Sequence, residues 1–440
     1  MSYPARNTIL KIQKRLRRTT LFKNRQIKVI ADRPLLTVKT ICRLVTFGVP
    51  SKYRKVRNCC VTDTPLFEKL ENKERIISQI KERENFSLGY YVRLFVDSRR
   101  FRTRYKTNKA INQTQEELIQ MFVQWLYLFS PAGYNHDDFF DYELYSKTME
   151  EAKEFLSCRY QRNMAWICRD GLSHIKYIRN KPLFNKTFHA YVKRDYLDTT
   201  TCSIDEFKTF VAKHPMFFAK PIDGLRGQDA RIMKSRDSTK RLFRKCKRQR
   251  LIVEELVKQH SDLAEFNKDT VNTIRVYSLL TAQGDPRIML ASIKFGRSGA
   301  CVDNFESGGM TAAIDVETGL IISDAITWVH ARYAEHPDSH KTFKGFKIPH
   351  WDKITEAVRE SALQIPQIRH IGWDVSITKE GEVEFIEGNS SPAFNLVQAA
   401  DQVGRKHVYE KHIKKLARMR RRQRKLRRMN SAQAGDQDRP

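Results

Sequence analysis

Apolar residues recur at three- and four-residue intervals in LFEKLENKERIISQIKER, QEELIQMFVQWLYLF and SKTMEEAKEFLSCRYQRNMAWI, all between Thr62 and about Lys181, which predicts a mainly helical region. Ser203-Ile204-Asp205-Glu206 reads as a capping box. The Ser hydroxyl is placed to accept from the backbone three residues on, and the Glu to reach back, opening a helix through Lys213. From His214 onward the period shortens. PMFFAKPI, ARIM, LIVEELV, NTIRVYSLL and RIMLASIKF read as strands, and GWDVSIT pairs with EVEFIE across the turn Lys379-Glu380-Gly381. One helix, Asp352 to Gln364, interrupts them with Ile354, Val358 and Ala362 on a common face. The expectation is an α+β body behind a helical N-terminal region, without internal repeats or a long Gly, Ser or Pro linker.

Composition narrows the class. A chain of 440 residues, 40% hydrophobic and 30% charged, has room for roughly three domains and a substantial core. Its eight cysteines are dispersed, with no CxxC pair and no His at ligand spacing, so neither a zinc site nor a disulfide framework is indicated and a reducing cytoplasm is expected. The longest apolar stretch, Leu118 to Tyr134, is interrupted by Gln120, Gln124, Ser130 and Pro131 and reads as a core helix. No apolar h-region with a cleavage site follows the N-terminus, so secretion is not expected.

The net charge of +31 sits at the two ends. Residues 1–59 carry sixteen Lys or Arg against one acid, Asp32, and residues 405–428 carry thirteen against one, Glu410. The middle is nearly balanced, so charge and chemistry need separate explanations. The C-terminal run HVYEKHIKKLARMRRRQRKLRRMN is built from helix formers, with Ile413, Leu416, Met419 and Leu426 as a narrow apolar stripe on a cationic rod. Such a rod suits an anionic surface, either acidic lipid headgroups at an inner membrane face or a nucleic-acid backbone, unless it is only a solvated tail. The last residues, SAQAGDQDRP, read as disordered.

Four patterns carry candidate chemistry. Asp374 lies on the first strand of the C-terminal hairpin, with Glu387 and Asn389 two apart on the second and so facing one side. Three hard oxygen donors suit Mg²⁺, which binds through one or two carboxylates and nucleotide phosphates; the competing reading is ordinary polar residues on an exposed hairpin face. In FFAKPIDGLRGQ, a strand delivers Lys220 and then a turn with Gly224 and Gly227. Such a turn lets backbone N–H groups approach phosphate, although the GK[ST] ending of a Walker loop is missing. LIVEELV carries the adjacent acids Glu254 and Glu255, one of which points inward and needs a partner. Arg275 stands on a strand that reads as central, where an anion or ion pair would justify it.

In this order the pieces resemble the ATP-grasp superfamily, and in particular its branch associated with sugar transfer and surface-polysaccharide gene clusters. The resemblance spans roughly His136 to Gln402. It rests on Asn180-Lys181 followed by Leu183-Phe184-Asn185, Ala219-Lys220-Pro221 with Gly224 and Gly227, IVEELVKQHSDLAEFNKDTVNTIRVYSLL, VDNFESGGMTAAIDVETGLI, His336-Pro337 with FKGFKIP, and GWDVSIT with FIEGNSSP. It implies an ATP-grasp fold, two α+β subdomains clasping ATP. The expected layout is a basic segment over 1–60, a helical region over 61–180, the ATP-grasp domain over 181–404 and a basic helix with a disordered tail over 405–440. Lys181 and Lys220 would hold the ATP phosphates under a flap at Gly224 to Gly227. Glu254, Glu255 and Val257 would read adenine through backbone groups, with Asn272 near the ribose or a metal-linked phosphate. Arg275 would stabilise the transferred phosphate, and Asp374, Glu387 and Asn389 would hold Mg²⁺. Asn304, Gly308, Gly309 and His336 fall where the acceptor pocket is expected. Residues 1–135 depart from the superfamily, whose members often begin with a nucleotide-like α/β domain.

The implied activity is an ATP- and Mg²⁺-dependent carboxylate–amine ligase acting through an acyl phosphate, with an amino acid or glycan as substrate, modifying a cell-surface polysaccharide or its precursor. The basic ends would bring the protein to the anionic inner leaflet. The alternatives are a kinase of the same fold and a non-catalytic nucleotide-binding subunit of a polysaccharide assembly complex. A nucleic-acid reading rests on charge alone, because no helix-turn-helix, zinc-finger or RNP-type signature is present.

Overall fold

A computed structural model describes residues 133–223, 230–235, 238–297 and 308–437, together with positions 97, 100–108, 111, 121, 125, 303 and 305. The predicted helix in LFEKLENKERIISQIKER, most of that in QEELIQMFVQWLYLF, and the basic segment 1–60 lie outside them. The chain forms two compact units, one of residues 1–140 with 144–149 and one of 141–143 with 150–440. The expected boundary at 181 therefore falls inside the second unit. In the first unit, Phe101 packs with Trp125, Phe139 and Phe140 at ring-centroid distances of 4.7–5.5 Å, a tight aromatic cluster.

The second unit holds two antiparallel sheets. The smaller has the order β1-β4-β2-β3, from β1 (Tyr196–Asp198), β2 (Met216–Pro221), β3 (Arg231–Lys234) and β4 (Leu251–Glu255). The larger has the order β11-β10-β5-β6-β7-β8-β9. Its strands are β5 (Ile274–Leu280), β6 (Pro286–Phe295), β7 (Met310–Ile314), β8 (Ala325–Thr327), β9 (Arg332–Tyr333), β10 (His370–Ile377) and β11 (Val383–Asn389). The helices that matter here are α1 (Cys158–Ile167), α2 (Lys181–Thr187), α3 (Ile204–Lys213), α4 (Thr239–Arg248), α5 (Trp351–Gln364), α6 (Asn395–Asp401) and α7 (Lys406–Gln437). The seven sequence-predicted strands all form, and the capping box at Ser203 and Glu206 closes as expected.

Strand alternation decides which side chains meet. In the small sheet, Phe217, Ala219, Leu251 and Val253 turn toward Phe207, Phe210, Phe243 and Cys246 of α3 and α4. Period two then puts Lys220 and Glu254 on the opposite face. In the large sheet, Ile274, Val276, Ile293, Trp373, Val375 and Phe385 form the main core with α2 and α5, where Phe188 meets Trp373 edge-on at 5.0 Å. The other face carries Arg275 and Asp374 and, toward one end, an apolar patch around Tyr277, Leu279 and Leu290 closed by α1, α6 and α7.

The basic helix α7 differs from expectation in two ways. Three of the four stripe residues are spent inside the protein: Ile413 and Leu416 are buried beside Tyr409, with Met419 packed alongside, and the Leu426 side chain lies outside the described residues. Removing that apolar area from water stabilises the docked helix, so Ile413, Leu416 and Met419 are not free to enter a bilayer. The helix also continues through Gln437, into residues read as disordered. A long preformed helix has already met the cost of nucleation, and Ala, Ser and Gln extend it readily.

Candidate active site

Three adjacent strands of the large sheet bring the candidate metal ligands together. Asp374 of β10 stands directly opposite Glu387 of β11 on one side and Arg275 of β5 on the other. Asn389 lies one step along, opposite Gly372. Arg275 grips Asp374 through both carboxylate oxygens, Nε to Oδ1 and a guanidinium nitrogen to Oδ2 at 2.7 Å. Asp374 and Glu387 face each other in register across β10 and β11. Burial alone would raise the Asp374 carboxyl, but Arg275 and Lys294 outweigh it and hold it below the usual carboxylate range. The same pairing keeps Arg275 charged although it is buried.

Lys294 of β6, which the sequence reading did not single out, completes this strip. Its Nζ lies 3.6 Å from Asp374 and 3.8 Å from Asp303. Asp303 in turn accepts from the Thr273 backbone at 2.8 Å and from the Thr273 hydroxyl. Burial pushes the Asp303 carboxyl up, against the pull of Lys294.

The small sheet and the start of α2 supply the cations expected to meet phosphate. Lys220 forms an ion pair with Glu254 at 2.7 Å and donates to the Ile386 carbonyl at 3.4 Å, which links it to β11. Lys181 donates to the Pro221 carbonyl at 3.0 Å. Burial lowers the Lys181 pKa, Glu387 opposes this and Lys220 adds to it, so Lys181, Lys220 and Glu387 share one electrostatic neighbourhood.

Behind these groups sits Arg194, the second residue missed from sequence. Its guanidinium donates to Glu254 at 3.0 Å, to Glu384, to the Phe385 carbonyl at 2.6 Å and to the Ile386 carbonyl at 3.3 Å. Asn185 donates to the same Glu254 oxygen at 3.1 Å. Arg194 thereby ties β4 of the small sheet to β11 of the large one. Burial would raise the Glu254 carboxyl, but Arg194 and Lys220 hold it at about 2. No sequence signal marked Arg194, because its partners lie 60 and 190 residues away.

The remaining candidates divide. Glu254 is committed to the ion-pair network, and the Glu255 backbone N–H donates to the Asp195 carbonyl at 2.9 Å. Of the three proposed adenine readers, Val257 is the one past the end of β4. Asn272 is fully buried, and its amide donates to Gln259 Oε1 at 3.2 Å and to the carbonyls of Leu263 at 2.8 Å and Asn267 at 3.3 Å. It braces the loop ahead of β5 and is not brought into the cluster. His336 is likewise fully buried, with Nε2 on the Gly296 carbonyl at 2.9 Å and its ring among Phe266, Phe295 and Phe343. It serves the core because a packed, satisfied imidazole offers no free nitrogen to a ligand. Gly308 and Gly309 lead into β7, Gly308 with a positive φ of 98°. Gly224, Gly227 and Asn304 lie outside the described residues.

The donor set fits a magnesium ion. Asp374 and Glu387 stand opposite each other with Asn389 on the same side of β11, and two carboxylates with an amide oxygen are the hard oxygen donors that a divalent cation takes.

Residues 241–415 match the family model of sugar-transfer associated ATP-grasp. The match runs from α4 through the start of α7 and includes Arg275, Lys294, Asp374, Glu387 and Asn389, whereas Lys181, Arg194 and Lys220 precede it. The matched segment holds β4 to β11, all in antiparallel pairings. Among solved structures, the chain is similar to an ADP complex of N5-carboxyaminoimidazole ribonucleotide synthetase, at 9% identity and TM-score 0.33 over 50% of this chain and 47% of that one. It is also similar to the D-alanine-D-alanine ligase from Coxiella burnetii, at 12% and 0.33 over 58% and 62%. A third is the L-amino acid ligase from Bacillus licheniformis, at 13% and 0.31 over 51% and 44%. The chain thus spans 44–62% of the length of these proteins. No curated protein matches the sequence.

Proposed function

We propose that this protein is an ATP- and Mg²⁺-dependent carboxylate–amine ligase that works through an acyl phosphate, with a cell-surface polysaccharide or its precursor on one side of the reaction and an amino acid on the other. The observation that carries this reading is the three-strand alignment of Arg275, Asp374 and Glu387, with Lys294 beside it, Lys220 of the small sheet bonded to the Ile386 carbonyl and Lys181 at the start of α2.

Such a site needs little proton chemistry. Asp374, Glu387 and Asn389 would hold the metal, which supplies Lewis-acid neutralisation of phosphate charge. Lys181 and Lys220 bind and orient the phosphates. Arg275, kept charged by its pairing, meets the negative charge that builds as the phosphoryl group moves to the acceptor carboxylate. Attack of the amine on the acyl phosphate then releases inorganic phosphate and leaves an amide. The Arg194 network sets the distance between the two sheets that must close on the nucleotide.

The basic helix favours attachment to an anionic membrane face. Lys411, Lys414, Lys415, Arg418, Arg421 and Arg422 are exposed on α7, while its apolar side is occupied, so the contact is electrostatic and falls with salt. Among the described residues no helix is long and apolar enough to cross a membrane.

The test is isotopic. With an ¹⁸O-labelled carboxylate substrate, a ligase transfers one label to released phosphate and forms an amide. Phosphorylated acceptor without phosphate release is the kinase outcome and overturns the ligase reading.

A further inference from the structure

A groove opens beside the start of α2, and nothing in the reaction above uses it. Its floor is apolar, formed by Ile175, Pro182, Leu183 and Leu172, the last 60% exposed. Its rim carries Lys176, Arg179 and Lys186, all exposed. None of these three has an ion-pair partner among the described residues. The one acidic lining residue, Asp223, lies 3.5 Å from Arg250, which draws on its charge.

The cationic and apolar character continues past the rim. Trp166, 60% exposed, carries the Arg169 guanidinium over its ring at 4.3 Å. Burial, and then the nearby Arg179 charge, lower the Arg169 pKa, a sign that like charges are crowded here without neutralisation. Proteins normally disperse or pair such charges, because unpaired neighbours of one sign repel. Three unpaired cations around an apolar floor are complementary to an anion that carries an apolar body.

The position adds meaning. Lys181 follows the lining residue Asn180 and precedes the lining residue Pro182, and it shares its electrostatic neighbourhood with Lys220 and Glu387. The groove therefore adjoins the phosphate-binding end of the site.

We infer that this groove binds an organic phosphate, with its dianionic head against Lys176, Arg179 and Lys186 and its apolar body on the Ile175, Pro182 and Leu183 floor. Three cations match a phosphate dianion better than a carboxylate monoanion. This deepens the proposed function: the organic phosphate is the acceptor or its carrier. It rests on that reading for the ligand's role but not for its binding.

The probe is hexyl phosphate, titrated calorimetrically into the full chain with and without saturating ADP and Mg²⁺, beside inorganic phosphate and hexanoate. Hexyl phosphate is expected to bind at least tenfold more tightly than either comparison anion and to be undisturbed by ADP. Lys176→Gln with Arg179→Gln, both exposed and outside the nucleotide site, is expected to weaken it at least tenfold while Mg²⁺–ADP binding is unchanged. Equal binding of hexyl and inorganic phosphate, tighter binding of hexanoate, competition by ADP, or an unaffected double variant would each overturn the inference. Absence of ADP binding by the wild type would instead count against the nucleotide site, which keeps the two failures apart.

Discussion

Replacing Arg194 by Met removes the charge that joins the two sheets and leaves two buried carboxylates behind. Glu254 keeps Lys220 at 2.7 Å and Asn185 at 3.1 Å, whereas Glu384 keeps one donor, the Lys193 backbone N–H at 2.8 Å. Breaking one partner out of a buried ion pair typically costs about 3–5 kcal/mol, because the other charge stays desolvated. At roughly 2 °C per kcal/mol for a unit of this size, the melting temperature should fall by roughly 6–10 °C. The pH dependence gives a second reading of the same interaction. Glu254 is held at about 2 against an ordinary value of 4.5, so its contribution is complete above pH 4.5 and is lost as pH falls toward 2. Without Arg194 the Glu254 value rises, and the gap between wild type and variant should be widest above pH 4.5 and narrow below it. Thermal unfolding followed by circular dichroism from pH 7 to pH 3 measures both quantities. Adding Glu384→Gln to the variant should recover part of the loss, since it removes the stranded charge. A variant within about 0.5 kcal/mol of wild type, or a gap indifferent to pH, would refute the claim that Arg194 ties the sheets together.

Three further outcomes follow from particular contacts. At Gly372 an added Cβ would sit 2.5 Å from Pro392 Cβ and 3.2 Å from Arg275 Cδ, so Gly372→Ala should cost about 1–3 kcal/mol in a denaturant titration and displace Arg275. His370 is fully buried, and burial lowers its pKa to about 3 from 6.5, so the native state excludes the proton that the unfolded chain accepts. Stability should therefore decline as pH falls from 6.5 toward 3, and His370→Gln should flatten that slope in acid unfolding. Changing Lys411, Lys414, Lys415 and Arg418 to Gln should weaken sedimentation with vesicles rich in anionic lipid at low salt without changing the melting temperature, because these side chains point away from the core.

The strands legible in the sequence were those that announce themselves by a short run of apolar, β-branched or aromatic residues, the four-residue β3 among them. β2, β4, β5, β6, β10 and β11 are of this kind. β1 was not, because Tyr196-Leu197-Asp198 is three half-buried residues whose order comes from pairing with β4. β8 and β9 are equally short and take their register from neighbours. The candidate site was legible in the same uneven way. Asp374, Glu387 and Asn389 stand out because one hairpin fixes their meeting. Lys294 looks like an ordinary polar position near a strand end, and only the ordering of β10, β5 and β6 carries it to Asp374. Asn272 and His336 show the converse: polar side chains in a striking sequence context can be consumed by loops and core, and burial with every nitrogen in use distinguishes them from a site.

The central claim is that Asp374, Glu387 and Asn389 hold Mg²⁺ against a nucleotide gripped by Lys220. Calorimetric titration of ATP with and without Mg²⁺, on wild type and on Asp374→Asn and Lys220→Ala, measures it directly. The account predicts tight binding only with Mg²⁺, at least tenfold weaker binding in each variant, and loss of the Mg²⁺ dependence in Asp374→Asn. Mg²⁺-dependent binding that survives intact in both variants, or no ATP binding by the wild type under any condition, would contradict it.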